Sequence, residues 1–157
     1  MSIRIDAEEI KVIVFQIKEK EYAIPVNQVR AIEKVLHITR VPRTARFVKG
    51  VINLRGVVTP IIDLRARFEI EETEYTDSTR IIIVTLEDME VGLVVDAAND
   101  VVDIPTANIE PQPEVVGTVE AEYISGVVKI EKRLMILVNL EKILNPAELK
   151  EPIRIEG

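Results

Sequence analysis

Few residues in this chain have types that carry chemistry, and their spacing decides what they can do. The stretch Phe47–Gly56, FVKGVINLRG, sets two glycines around a short apolar run, with Arg55 just before the second. Glycines so placed could cradle a phosphate, but that loop continues into Lys and Ser or Thr and opens a helix. Here Gly56 runs into Val57-Val58-Thr59-Pro60, which reads as a strand. His37, the single histidine, lies among apolar neighbours in VLHITRVP, and cysteine is absent. A histidine cluster or a thiolate site for a metal therefore cannot be built. No serine sits in a nucleophile elbow, and its base would have to be that same histidine. The acid pairs Glu71-Glu72 and Glu120/Glu122 read as solvated loop residues. We expect no catalytic residue, no metal site and no cofactor.

Charge is the remaining chemical resource. The net charge is −7, which argues against nonspecific nucleic-acid binding. Yet Lys34, Arg40, Arg43, Arg46, Lys49, Arg55, Arg65 and Arg67 face only one acid, Asp63, within one segment. A basic face on an acidic protein suggests docking onto an acidic partner; an ordinary solvated surface is the other reading. The aromatics Phe15, Tyr22, Phe47, Phe68, Tyr75 and Tyr123 are scattered, and only Phe47 falls in the basic stretch. Oligonucleotide binding, which needs bases stacked on aromatics, stays as the alternative on fold analogy.

The elements that must position these residues come in two copies. Lys11–Val35 aligns without gaps on Arg80–Ile104, and Phe47–Phe68 aligns on Tyr123–Leu144, in the same order. Each unit reads as a strand (Val12–Ile17, Ile81–Leu86), a charged hairpin connection and a second strand (Tyr22–Val26, Val91–Val95). Apolar spacing of three follows in Val26, Val29 and Ile32, matched by Val95, Ala98 and Val101; it suggests a helical turn or a strongly coiled strand. A further hairpin and a short helical end, capped by Asp63 or Asn139, complete the unit.

The expected fold is all-β: two pseudo-symmetric five-stranded SH3- or OB-like barrels packed together, with short helical ends. The first spans 11–70 and the second 79–145, joined by the acidic EIEETEYTDS, with 146–157 as a C-terminal tail. A single barrel of this size buries little surface, so the two should share an apolar interface. No stretch has the length or apolarity of a signal peptide core or a membrane span, so we expect a soluble cytoplasmic protein.

The repeat also separates residues by role. Gly50 matches Gly126 and reads as structural, a bulge or a close approach. The turn Asn53-Leu54-Arg55-Gly56 becomes Lys129-Ile130-Glu131-Lys132, so the fold does not demand it. Gly56 reads as the turn position needing positive φ, and Arg55 as a contact residue. Pro60, opposite Ile136 in the repeat, suggests an edge or bulged strand.

FVKGVINLRGVVTPIIDL resembles the signature stretch of the CheW-like proteins of bacterial chemotaxis, and the likeness extends to EYAIPVNQVRAI, VGLVVDAANDVV and LMILVNLEKIL. It covers about Lys11–Leu144. No kinase, histidine-phosphotransfer or receiver segment accompanies these motifs, so the chain resembles the stand-alone adaptors of the family. The resemblance implies two barrels whose first strands are open to exchange. It implies a non-enzymatic scaffold that couples transmembrane chemoreceptors to the barrel domain of the histidine kinase CheA and supports array assembly. Such a protein is cytoplasmic, recruited to membrane-associated arrays without inserting, and binds no nucleic acid. Onto this chain the resemblance carries a receptor-binding groove at Val26, Val29, Ile32, Ala98 and Val101, for which core packing is the other reading. It also singles out Arg55 with Gly50, beside Asn53 and Gly56 of the same segment. Many members have an acid just before the residue aligned with Ile32. Here that residue is Ala31, with Glu33 two positions on, so an acid partner for Arg55 would need a different geometry.

Overall fold

The structure, a computed structural model, describes residues 8–42, 46–72, 74–111 and 122–145. The tail expected at 146–157 lies outside the described residues. The first unit contributes β1 (Glu9–Ile17), β2 (Lys20–Pro25), β3 (Val29–Lys34), β4 (Val48–Leu54) and β5 (Val57–Asp63). The second contributes β6 (Arg80–Leu86), β7 (Met89–Val95), β8 (Ala97–Pro105), β9 (Ile109–Glu110), β10 (Ile124–Ile130) and β11 (Arg133–Val138). Helical turns at Leu64–Arg67 and Leu140–Ile143 end the units.

The hydrogen-bonded sheets do not follow the sequence units. One runs β8-β1-β2-β11-β10-β9 and the other β3-β6-β7-β5-β4. The opening hairpin of each unit thus joins the closing strands of the other, through parallel pairing of β2 with β11 and of β7 with β5. Each sheet curls toward closure. After β3 the chain returns to bridge Thr39 to Val51 of β4, with both backbone bonds at 2.8 Å. After β8 it returns as β9 to pair with β10. The sheet containing β9 therefore counts six strands rather than five, because its returning segment is a two-residue strand where the other sheet has a bridge.

Both glycines of the repeat sit at these closures. The register shifts between Val48 and Gly50 and between Ile124 and Gly126, marking a bulge in each barrel. A Cβ on Gly50 would stand 2.1 Å from the Thr39 carbonyl oxygen, and one on Gly126 would stand 2.9 Å from that of Glu110. Gly50 also has φ +144°. Bulge and close approach coincide because the returning chain crosses the bulged strand there.

All four hairpins close with two residues, Lys18-Glu19, Arg55-Gly56, Glu87-Asp88 and Glu131-Lys132. The first residue of each has φ between 53 and 58°. Positive φ matches the turn to the right-handed twist of its strands. Only Arg55-Gly56 is positive at both positions, the type I′ pattern.

Alternation along the strands feeds three cores. Val12, Val14, Ala23, Val128, Met135 and Leu137 fill one barrel, and Ile52, Ile61, Ile81, Ile83 and Val94 fill the other. The intervening residues, among them Ile13, Phe15, Ile17, Tyr22, Ile24, Ile82, Val84, Leu93, Ile136 and Val138, pack in a third and larger layer between the barrels. Central strands are buried on both faces, which explains why their sequences are continuous apolar runs. Pro60 is not on an edge strand, since β5 lies between β7 and β4. It sits where β7 has not yet begun to pair, because the parallel ladder starts at Ile61, so its missing N–H costs no ladder bond.

Candidate functional site

The three-residue apolar spacing is not one helix. Val26 begins a single 3-10 turn, Val26–Gln28, and β3 follows directly. Val29 pairs with Val84 and Ala31 with Ile83, so Arg30 is an extra residue in the ladder. This bulge changes the alternation, and Val29 and Ile32, three apart, end on the same face. The second unit repeats the device: Val101 pairs with Ile13 and Ala98 with Phe15, across a shift in register. Their partners Val84, Ile82, Ile13 and Phe15 all belong to the layer between the barrels.

Val26, Val29, Ile32, Ala98 and Val101 therefore share the inter-barrel faces, with Val26 in the 3-10 turn, Val29 and Ile32 on the edge strand β3 of one sheet, and Ala98 and Val101 on the edge strand β8 of the other. Their burial differs. Val26 and Val29 are half-buried against the shared core, whereas Ile32 is 42% and Val101 56% exposed. The cavity beside Val26 is lined by Glu9, Ile10, Lys11, Pro25 and Asn27 and by none of the other four.

The second candidate segment divides too. Gly50 is buried at the barrel closure, away from the turn. Asn53 accepts the Gly56 N–H on its side-chain oxygen at 2.8 Å, an Asx-type brace of the turn. Arg55 is exposed and faces Glu33, with Nη2 3.6 Å from Oε2. Glu33 thus stands opposite Arg55 although Ala31 occupies the position of the acid found in many family members. Two residues apart on a strand is one face, which is why Glu33 can serve.

The basic segment is smaller in space than in sequence. Arg65 is buried, with Nε 3.3 Å from Asp96 Oδ1 and 3.7 Å from Asp63 Oδ1. Asp96 also accepts the Lys18 N–H at 2.6 Å, and the Tyr75 hydroxyl donates to Asp63 at 3.2 Å. Burial holds the Asp63 carboxyl above the usual carboxylate range, against the pull of the Arg65 N–H and guanidinium. Arg67 lies between the rings of Phe47 and Tyr123, 4.2 and 4.8 Å from their centroids, and donates to the carbonyls of Ile143 and Lys142. Lys49 pairs with Glu72 at 2.6 Å, so this acid of the linker is an anchor rather than a solvated charge. Among the described residues, the exposed bases of the segment are Lys34, Arg40, Arg46 and Arg55. The inward turn of Arg67 had a signal in the repeat, where its counterpart is the apolar Ile143.

The aromatics, scattered in sequence, converge. Phe15, Tyr22, Phe68 and Tyr123 form a chain of rings with centroids 5.6–5.8 Å apart inside the shared layer. Among the described residues, this burial leaves Tyr75 as the one aromatic with substantial exposure. Among the described residues, no group of three or more histidines and acids could hold a metal, and no helix is long and apolar enough to cross a membrane.

A duplicated pair of barrels with exchanged hairpins, exposing apolar and cationic side chains on edge strands and turns, defines a twin-barrel protein organised around surfaces. Residues 11–148 match the family described as the CheW-like domain, and the chain belongs to that family. It is 49% identical to the chemotaxis protein CheW of Bacillus subtilis, covering 86% of each chain. It is 37% identical to the CheW of Klebsiella aerogenes, covering 87% of this chain and 82% of that one. The crystal structure of the scaffolding protein TtCheW from Thermoanaerobacter tengcongensis superposes with a TM-score of 0.83 at 33% identity, covering 90% of this chain and 98% of that one.

Proposed function

We propose that this chain is a non-enzymatic chemotaxis scaffold, which couples cytoplasmic tips of transmembrane chemoreceptors to the histidine kinase CheA and supports assembly of the signalling array. The observation that carries this reading is family membership across 11–148, joined to exposed apolar residues on the inter-barrel faces of two edge strands. The receptor site is the stripe of Val26, Val29, Ile32, Ala98 and Val101. The most exposed pair, Ile32 and Val101, offers an amphipathic receptor helix an apolar seat, while Val26 and Val29 support it from the core side. Arg55 contributes a planar cation to assembly, set on a turn braced by Asn53 and Gly56, with Gly50 holding the strand beneath. The kinase partner is its regulatory barrel domain. The protein acts in the cytoplasm, at membrane-associated arrays, without inserting into the bilayer. Its sequence units, 11–70 and 79–145, act as one folded body.

The test is capture of CheA and of receptor cytoplasmic fragments by the full chain. Both should be retained. Ile32→Asp and Val101→Asp should weaken receptor capture more than kinase capture while leaving the fold intact. Arg55→Glu should reduce kinase activation in reconstituted arrays without unfolding. Failure of the wild-type chain to retain either partner would refute the reading.

A further inference from the structure

The two barrel mouths occupy equivalent positions in the repeat but are filled differently. In the barrel containing β1 and β11, Arg133 closes the mouth. Its Nε and Nη2 donate to the two carboxylate oxygens of Glu21 at 3.1 and 3.2 Å, and Nη2 reaches Asp100 at 3.5 Å. In the other barrel the equivalent residues are Val57 for Arg133, Glu90 for Glu21 and Ala31 for Asp100. The plugging cation and one of its carboxylates are gone. A cavity of about 230 Å³ remains, floored by Ala31, Leu54 and Ile83 and rimmed by Arg30, Arg55, Val57 and Glu90.

Charge at this rim is ordered by depth. Arg30 Nε lies 3.4 Å from Glu90 Oε2, and Arg55 Nη2 lies 3.6 Å from Glu33 Oε2. The carboxylate side chains are 27% and 23% exposed, the arginines 65% and 76%. The acids thus stand behind and the cations project outward. Each guanidinium faces one carboxylate and makes no other polar contact among the described residues, so most of its five N–H donors remain uncommitted. Val57, 53% exposed, extends the apolar lining onto the outer surface.

We propose that this mouth is a recognition socket for a protein segment bearing an apolar side chain flanked by carboxylates. The apolar group enters over Ala31, where the second barrel holds its own arginine. The flanking carboxylates take the donors of Arg30 and Arg55, for which guanidinium is suited by its planar fork. Arg30 and Ala31 are then the specificity determinants. A leucine in place of Ala31 fills the socket, and an uncharged residue in place of Arg30 removes half of the acid preference. The inference rests on the reading of the chain as a docking scaffold and states what one docking segment must look like.

The test uses the full chain with methyl-labelled Ala, Ile, Leu and Val, titrated with a short synthetic helical peptide. The peptide carries one leucine flanked by glutamates on the same face, and its control carries glutamines. The acidic peptide should shift the methyl signals of Ala31, Leu54, Val57 and Ile83. Arg30→Gln or Arg55→Gln should each weaken binding about threefold to fivefold, as one exposed charge contact does. Ala31→Leu should abolish the shifts. No shift, or equal shifts with the glutamine peptide, overturns the socket. If CheA and receptor fragments bind Ala31→Leu and Arg30→Gln as well as wild type, the socket fails and the scaffold stands. If peptide shifts occur but neither fragment is captured, the scaffold reading fails and the socket stands.

Discussion

Single residues in this protein matter mostly through what the second copy of the unit lacks. Gly50 and Gly56 carry the same letter and opposite burdens. A Cβ at Gly50 collides with the Thr39 carbonyl, and its φ is positive; a Cβ at Gly56 meets nothing within 4 Å. We expect Gly50→Ala to destabilise by about 3–5 kcal/mol, the sum of overpacking and left-handed strain, and Gly56→Ala by about 1–2 kcal/mol from strain alone. Denaturant midpoints should rank them so; equal losses would mean that the closure yields. Arg65 is the second case. Its removal leaves the buried Asp63 without its cation. Arg65→Met should therefore cost about 3–5 kcal/mol, as breaking one side of a buried pair does. Its repeat counterpart Glu141 is exposed, and Glu141→Ala should change stability by less than about 0.5 kcal/mol.

At the scale of elements, hairpins and bulges do the positioning. The same left-handed first position recurs in all four two-residue turns, occupied by Lys18, Arg55, Glu87 and Glu131. The conformation of Arg55 is thus a property of the turn, and only its side chain is available for a special role. Asn53 braces that turn alone. Asn53→Ala should loosen the β4–β5 hairpin by about 0.5–1.5 kcal/mol, the value of one such bond, and raise amide exchange at Gly56 while leaving the β10–β11 hairpin unchanged. The bulges in β3 and β8 explain the apolar period of three. An extra residue in a strand shifts alternation by one, which sequence periodicity alone renders as a helical turn or a coiled strand.

For the whole molecule, the exchange of opening hairpins makes each barrel depend on both units. β1 and β2 complete a sheet begun by β11, and β6 and β7 complete one begun by β5. The largest buried layer also lies between barrels rather than inside either. Fragments cut in the linker after residue 72 should therefore each lack stable tertiary structure and recover β-sheet on mixing, as read by circular dichroism and amide dispersion. Two independently folded halves would contradict this dependence. The linker is tied down at two points, by Glu72 to Lys49 and by Tyr75 to Asp63, both on the barrel that contains β4 and β5.

What the sequence by itself determined is local and repeated: strands from β-branched runs, the hairpin connections between them though not their two-residue length, Asp63 and Asn139 as caps, the glycine pair and the duplication. These depend on propensity, alternation and turn geometry, which act over a few residues. The family signature added the pairing of surfaces to be sought. The partition of strands into sheets, the inward turn of Arg65, the stacking of four distant aromatics and the contrast of the two barrel mouths were decided only in the tertiary structure. Each is a contact between residues far apart in the chain, and no period within a strand encodes which distant strand it will meet. Arg55 and Arg67 carry the same side chain. One stands in solvent opposite Glu33 and the other lies between two rings, because burial belongs to the assembled barrels and not to the residue.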